Sequence, residues 1–318
     1  MTQNSSRAVC AVTVVTNRHA GLGAGQDVAA AALARFRERG VEVAEVRAPS
    51  AAETARLVRD SIERDNSDAV VCIGGDGLIN VTLDAVARTG VPLGLVPAGT
   101  GNDLARELGV PTDDPVAAAD VVVDGRTRTI DLGQIDLSEP GSAPMWFATV
   151  TGTGFDARVT LRANAMRWPR GRLRYTLAAL AEISGRFTVP YRVELTGAVT
   201  DGLTNLGAGS TVATNAVMVA VGNTRTYGGG MLICPDAVMD DGLLDLTVVG
   251  KLSRLEMLRL LPVLSAGKRQ NHPEVKQYRA AEITLTAPVA PATADGEPAG
   301  SLPITIRAVP GALTVLVP

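Results

Sequence analysis

The chain has 318 residues, 46% of them hydrophobic, and a formal net charge of -3; that is enough apolar material for two domains or one large one. The mild acidity excludes a global electrostatic case for nucleic-acid binding, which needs a basic surplus or stripe. Cys10, Cys72 and Cys234 are odd in number and far apart, which suits free thiols in a reducing compartment and shows no disulfide or zinc framework.

The opening residues MTQNSSR have no charged segment followed by an apolar one, and no apolar run approaches membrane-spanning length, so a cytoplasmic protein is expected. Residues 8–16 read as a buried strand, followed by a loop at 17–25 and a helix at 27–39 closed by Gly40. Residues 41–46 form a second strand, and Ser50 with Glu53 makes a capping box for a helix reaching about residue 65.

The third strand, residues 69–73, is apolar and β-branched and stops abruptly at Gly74, Gly75, Asp76 and Gly77. Glycines let backbone N–H groups approach a bound group closely, and a helix N-terminus just behind them favours anions. A carboxylate in such a seat repels phosphate unless a metal ion or an acceptor hydroxyl stands between them. Asp76 therefore points to metal-assisted phosphoryl chemistry.

A helix at 79–88, a stop at Gly90 and a fourth strand at 93–96 lead into the run PAGTGND, residues 97–103, before another helix. Strands alternating with helices imply a parallel sheet covered on both faces, with ligands at the carboxyl ends of the strands. Asn17, Asp76 and Thr100 all fall at such ends. In the second loop Gly99 and Gly101 permit close approach, Thr100 and Asn102 can donate to phosphate oxygens, and Asp103 can order the helix start. Two such loops describe a nucleoside triphosphate clamp.

From about residue 126 the texture becomes predominantly β. Strand-like runs are expected at 129–136, 146–150, 191–195, 211–221, 243–249 and 282–286. One long helical stretch, 156–184, carries six arginines, and Ser253 with Glu256 announces another helix. The closing run, 304–317, can pair back onto either half.

GGDG followed about twenty residues later by PAGTGND resembles the diacylglycerol kinase catalytic domain family, which also contains sphingosine and ceramide kinases. The resemblance spans nearly the whole chain. Gly152, Gly154, Asp156 and Ala157 match GxGxDA; Asn223 and Gly228 to Met231 match a Gly-rich stretch; Pro235, Asp236, Ala237, Asp241, Gly242 and Asp245 match PDA…DGxLD; and Asp295, Gly296 and Glu297 match DGE.

The resemblance implies an α/β N-terminal domain with a parallel sheet of the NAD-kinase and phosphofructokinase kind and a β-rich C-terminal domain. The expected limits are 1–128, with 303–318 returning to it, and 129–302, with the active site in the cleft between the two. It implies ATP and Mg²⁺ as cofactors. Asp76 would help hold magnesium and phosphates within a nucleotide loop of Gly74, Gly75, Gly77, Leu78, Ile79 and Asn80, joined by Asn17, Gly99, Thr100, Asn102 and Asp103. Asp295 or Glu297 would accept the proton of a lipid hydroxyl. A second, structural magnesium would sit at Val238, Asp241 and Leu243, since oxygen donors suit that ion.

Some positions depart from the family pattern. Leu78 stands where a Thr is usual, Asn17 to Gly21 retain only the ends of NPxSG, and Arg47 replaces a Thr near the adenine side. Bland rivals also exist: DGE and PDA…DDG are turn-like, and Asp156 can simply cap its helix. Three functions remain in view. They are an ATP-dependent lipid kinase acting on diacylglycerol, an NAD kinase, and a catalytically weakened lipid-binding or regulatory protein. A lipid kinase would meet its substrate at the membrane surface, with peripheral contact to the inner face, where the Arg-rich stretch could meet anionic headgroups. The sequence does not decide the lipid or the oligomeric state.

Overall fold

The computed structural model describes residues 8–16, 24–64, 67–137, 143–166, 168–169, 172–183, 185, 188–199, 209–269 and 272–318. The chain divides into two units, Met1–Leu132 with Pro310–Pro318, and Gly133–Val309. The divisions differ by a few residues from the expected 128 and 303. Both fall inside long strands, so no loop marks them.

The first unit alternates strands and helices: β1 (Ala11–Thr16), α1 (Ala24–Glu38), β2 (Glu42–Val46), α2 (Ala51–Glu63), β3 (Ala69–Gly74), α3 (Asp76–Val86), β4 (Leu93–Pro97), α4 (Asp103–Glu107) and α5 (Pro115–Asp124). Its strands pair in parallel in the order β2-β1-β3-β4. Every residue of β3 and β4 is buried, which requires cover on both sheet faces. Helix α1 packs against α5 and α2 against α3. A two-pronged ion pair ties the first couple, Arg35 Nε and Nη2 lying 2.9 and 3.0 Å from the two oxygens of Asp120. Ser50 caps α2 through its side chain, which accepts from the amide of Glu53 at 3.2 Å.

Two sequence expectations change in this unit. Helix α3 starts at Asp76 rather than residue 79, with Gly75 as its extended N-cap, so the acidic motif forms the first helical turn. The single helix expected after PAGTGND is two, α4 and α5. Asp114 caps α5 by accepting from the amides of Val116 and Ala117, Pro115 occupies the first turn, and Gly125 closes the helix at a φ of 66°.

The chain then enters β5 (Thr127–Leu137), β6 (Met145–Phe147), β7 (Val150–Gly154), α6 (Phe155–Ala165), α7 (Arg172–Ile183), β8 (Val189–Thr196), β9 (Ser210–Ala216), β10 (Met218–Gly222), β11 (Thr226–Tyr227), β12 (Met231–Leu232), β13 (Leu244–Val249), α8 (Arg254–Ser265), β14 (Val275–Ala280), β15 (Glu282–Thr286), β16 (Pro291–Ala294), β17 (Glu297–Ser301) and β18 (Ile304–Leu316). In the second unit one antiparallel sheet runs β14-β13-β10-β7-β16-β17. Another pairs the first part of β18 with β15, then β8 and β9. The last part of β18 belongs to the first unit, where Val315 pairs in parallel with Leu93 of β4. The closing run therefore pairs in both units.

Alternation along β10 and β13 explains the layering of the second unit. Val219, Val221, Leu244, Leu246 and Val248 face a core shared with Tyr191, Val193, Ile283 and Ile306 of the other sheet. Met218, Ala220 and Val249 face outward onto Val159 and Ala163 of α6, Ala178 and Ala179 of α7, and Met257 of α8. The result is a β-sandwich with helices on one outer face. The helical stretch expected at 156–184 is two helices, interrupted around Trp168 and Pro169, because proline lacks the amide and clashes with the preceding turn. The capping box at α8 is reciprocal, Ser253 N donating to Glu256 Oε2 at 2.7 Å and Glu256 N to Ser253 Oγ at 3.2 Å.

Candidate active site

In the first unit the two glycine-rich loops meet because their strands are neighbours. Gly74 pairs with Pro97 at the ends of β3 and β4, and Ala98 N donates to Gly74 O at 2.8 Å. The backbones then touch: a Cβ on Gly99 would stand 2.6 Å from the Gly75 Cα, closer than any side chain tolerates. The turns close on each other only with glycine at both positions.

Asp76 fastens the pair. Its Oδ2 accepts the amide of Asn102 and its Oδ1 that of Asp103, each at 2.8 Å. These are the first amides of α4, so a full negative charge sits where that helix end is positive. Gly101 lies under the same carboxylate, where a Cβ would come within 2.6 Å of Asp76 Oδ2. Asn102, buried and left-handed at a φ of 54°, closes the second loop on itself. Its Oδ1 accepts Gly99 N and its Nδ2 donates to Gly99 O, both at 3.0 Å.

The expected nucleotide residues therefore differ in their surroundings. Gly75, Asp76 and Gly77 form the start of α3, ahead of its first backbone bond, Leu78 N to Gly75 O at 3.0 Å, and Thr100 is exposed in the second loop. Asn102 and Asp103 are buried and brace the loop. Leu78 covers Gly74, whose Cβ would meet Leu78 Cδ2 at 2.8 Å, while the side chain of Ile79, the next residue of the expected nucleotide loop, is buried in the core. Gly74 ends β3, and Asn80 is half-buried in the second turn of α3. Asn17 lies outside the described residues.

In the second unit DGE is the turn of a hairpin. Ala294 pairs with Glu297, and Asp295 and Gly296 are left-handed at φ 48° and 84°, the combination a two-residue type I′ turn demands. Asp295 also anchors that turn to the β6–β7 connection. Its Oδ2 accepts Ala148 N at 2.8 Å, while its Oδ1 accepts Thr149 N at 2.8 Å and Thr149 Oγ1 at 2.5 Å. Glu297, by contrast, is exposed. Only one of the two acids thus has its carboxylate spent on structure.

Asp156 adds a third acid beside the turn. It sits in the first turn of α6 with its Oδ2 over Gly152, where a Cβ would be 2.0 Å away, and Gly152 pairs with Thr293 of the hairpin. Gly154, not Asp156, caps the helix. The Tyr227 hydroxyl donates to Asp156 Oδ1 at 2.6 Å. Burial pushes the Asp156 carboxyl up to about 6, the Tyr227 bond opposing that shift. Sequence reading missed Thr149 and Tyr227, for neither lies near its partner in the chain.

The expected magnesium set at Val238, Asp241 and Leu243 has the right donor chemistry, oxygen only. Its carboxylate is already committed, however. Asp241 Oδ1 accepts Leu243 N at 3.0 Å and Oδ2 pairs with Arg279, which also reaches Asp245 at 3.3 Å. Burial lifts the Asp245 carboxyl to about 6 against the opposing charge of Arg279. A guanidinium in that position occupies the place of a cation, so the set as arranged does not fit a metal ion. Asp76 fits better: each of its oxygens accepts one N–H and keeps a further lone pair.

Comparison with known proteins agrees with both halves. Residues 11–135 match the model of the diacylglycerol kinase catalytic domain, and residues 149–317 that of the YegS C-terminal NAD kinase beta sandwich-like domain. A diacylglycerol kinase of Mycobacterium tuberculosis is 45% identical over 307 residues, covering 96% of this chain and 95% of that protein. A diacylglycerol kinase of Bacillus subtilis is 26% identical over 275 residues, covering 85% and 84%. The crystal structure of a diacylglycerol kinase from Bacillus anthracis superposes with a TM-score of 0.73 at 21% identity, covering 98% of each chain, and at that identity it speaks to the fold. Among the described residues no helix is long and apolar enough to cross a membrane.

Proposed function

The chain belongs to the diacylglycerol kinase family of lipid kinases, and from that membership we propose that it transfers the γ-phosphoryl group of ATP to the hydroxyl of a diacylglycerol, giving phosphatidic acid. The observation that carries the reading is the Asp76 carboxylate holding two glycine turns edge to edge. Between them they offer helix-end amides and the Thr100 hydroxyl to a triphosphate, and backbone amides supply most of a phosphate cradle. The Leu78 substitution removes a hydroxyl but no backbone donor.

Asp76 would be the protein ligand of a nucleotide-bound magnesium, whose chemistry is to offset the charge on the transferred phosphoryl. Glu297 is the general base in this reading, because it is exposed and the carboxylate of Asp295 is occupied. It takes the proton of the lipid hydroxyl as that oxygen bonds to the γ-phosphorus and the bond to ADP breaks. Support for diacylglycerol as acceptor comes from relatives named for it, which also weighs against the NAD kinase alternative. The exposed Glu297 and the intact Asp76 clamp weigh against a weakened, non-enzymatic protein.

The test is incubation with magnesium, labelled ATP and a panel of detergent-dispersed lipids, with NAD as a further acceptor. The reading expects label in diacylglycerol and none with Asp76→Ala. Label in NAD alone, or equal background from both proteins, overturns it.

A further inference from the structure

We propose that Arg279 stands in for the second magnesium that the family resemblance implies, so that the acidic loop of the β-sandwich is built around a guanidinium and folds without a divalent cation. Strand pairing aims the side chain. Arg279 of β14 lies opposite Asp245 of β13 in register. Their neighbours Leu244, Leu246 and Tyr278 belong to the sandwich core, so Arg279 and Asp245 share the other face of the sheet. From there Arg279 Nε donates to Asp245 Oδ2 at 3.3 Å and its Nη2 donates to Asp241 Oδ2. One planar fork thus bridges two carboxylates, as a metal ion would.

The loop leaves little for a metal to bind. Asp241 turns its other oxygen back on its own chain, accepting Leu243 N at 3.0 Å around Gly242, which is left-handed at a φ of 77°. Asp236, at the start of the loop, accepts from both terminal nitrogens of Arg269, from Nη1 at 3.1 Å. Asp236, Asp241 and Asp245 therefore each face an arginine. Among the described residues no three Asp, Glu, His or Cys side chains gather as a metal set. A magnesium ion at Asp241 would have to displace Arg279 or share its carboxylates, setting a double positive charge beside a half-buried guanidinium. Arginine is not deprotonated in proteins, so this cation can be neither chelated nor titrated away.

The loop belongs to the sheet that carries the candidate base. Asp245 pairs with Gly222 of β10, and Gly222 with Val150 of β7, whose carbonyl accepts the amide of Asp295 in the DGE turn at 3.1 Å. What fixes the acidic loop therefore steadies the strand ends from which that turn hangs. Magnesium is then required with the nucleotide and not for the fold of this unit.

The test uses full-length, nucleotide-free protein with Mg²⁺ or EDTA, read by thermal melting and by calorimetric titration of Mg²⁺. Wild type should melt at the same temperature in both, or rise with Mg²⁺ by no more than Asp241→Asn does. Arg279→Ala should melt about 4–8 °C lower in EDTA, recover part of that loss in Mg²⁺, and lose the recovery when Asp241→Asn is added. A Mg²⁺-dependent rise in the wild type that Asp241→Asn abolishes overturns the proposal. So does an Arg279→Ala protein that melts like wild type, or one that gains nothing from Mg²⁺. Should Arg279→Ala fail to fold, titration of the wild type decides: binding heat that Asp241→Asn removes refutes the arginine, and no heat dependent on Asp241 upholds it. Neither ATP nor lipid enters these measurements, so they succeed or fail apart from the kinase reading.

Discussion

Asp76 holds the start of α4, whose N-cap is Asn102: one carboxylate, at the first residue of α3, accepts the amides of Asn102 and Asp103 at 2.8 Å each. The acid of the first glycine loop thereby sets the position of the second. Asp76→Asn would turn an amide N–H toward one of those donors and leave it unmatched. The expected result is a stability loss of about 1–3 kcal/mol in urea unfolding, together with a fall in kcat of roughly 100-fold or more as phosphoryl stabilisation is lost. A variant that is destabilised yet turns over normally would reduce Asp76 to a structural clamp.

The two acids of the DGE turn should separate cleanly. Glu297→Gln removes an exposed carboxylate and should leave the melting temperature unchanged while lowering kcat by about 10²–10⁴. Asp295→Asn breaks the set of bonds to Ala148 and Thr149 and should cost about 1–3 kcal/mol of stability. Paired thermal melts and initial rates decide the matter, and normal kcat in Glu297→Gln would move the base elsewhere.

Gly99→Ala should act on the nucleotide before it acts on the lipid. The added methyl would meet the Gly75 Cα at 2.6 Å and Asn102 Oδ1 at 2.9 Å, so the two turns must part. Loss of about 1.4 kcal/mol of cradle contact is tenfold in affinity, and an increase of that order or more is expected in the ATP KM, with a smaller change for the lipid. Equal effects on both substrates would mean that the loop contact serves the fold rather than the nucleotide.

What could be read in advance depended on how local the determining contacts were. The apolar run of β3, its glycine stop and the Ser253–Glu256 cap are each contained in a few residues, and each reads directly. The hairpin strands β16 and β17 were missed because Pro291 and Pro298 argue against strand. Yet β17 is the edge of its sheet, where a missing amide costs no ladder bond. Both glycine-rich loops were legible as motifs. That Asp76 spends its carboxylate on α4, or that Arg279 sits on Asp241, follows from strand adjacency and from contacts between residues distant in sequence, which spacing does not encode.

Stability should also carry a signature of Asp156. Its carboxyl is raised by burial from 3.8 to about 6, so the folded state prefers it protonated. A raised pKa contributes stability that is complete below the unfolded value and is lost as pH climbs through the folded one. Asp245, raised to about 6 as well, adds to the same window in the wild type. Asp156→Asn keeps an oxygen for the Tyr227 hydroxyl but has nothing to ionise. The variant should therefore gain melting temperature relative to wild type as pH goes from 4 to 7, with the change centred between the two pKa values. A difference that stays flat across that range would show that Asp156 is solvated and ionised throughout, and that its bond to Tyr227 rather than its burial governs its charge.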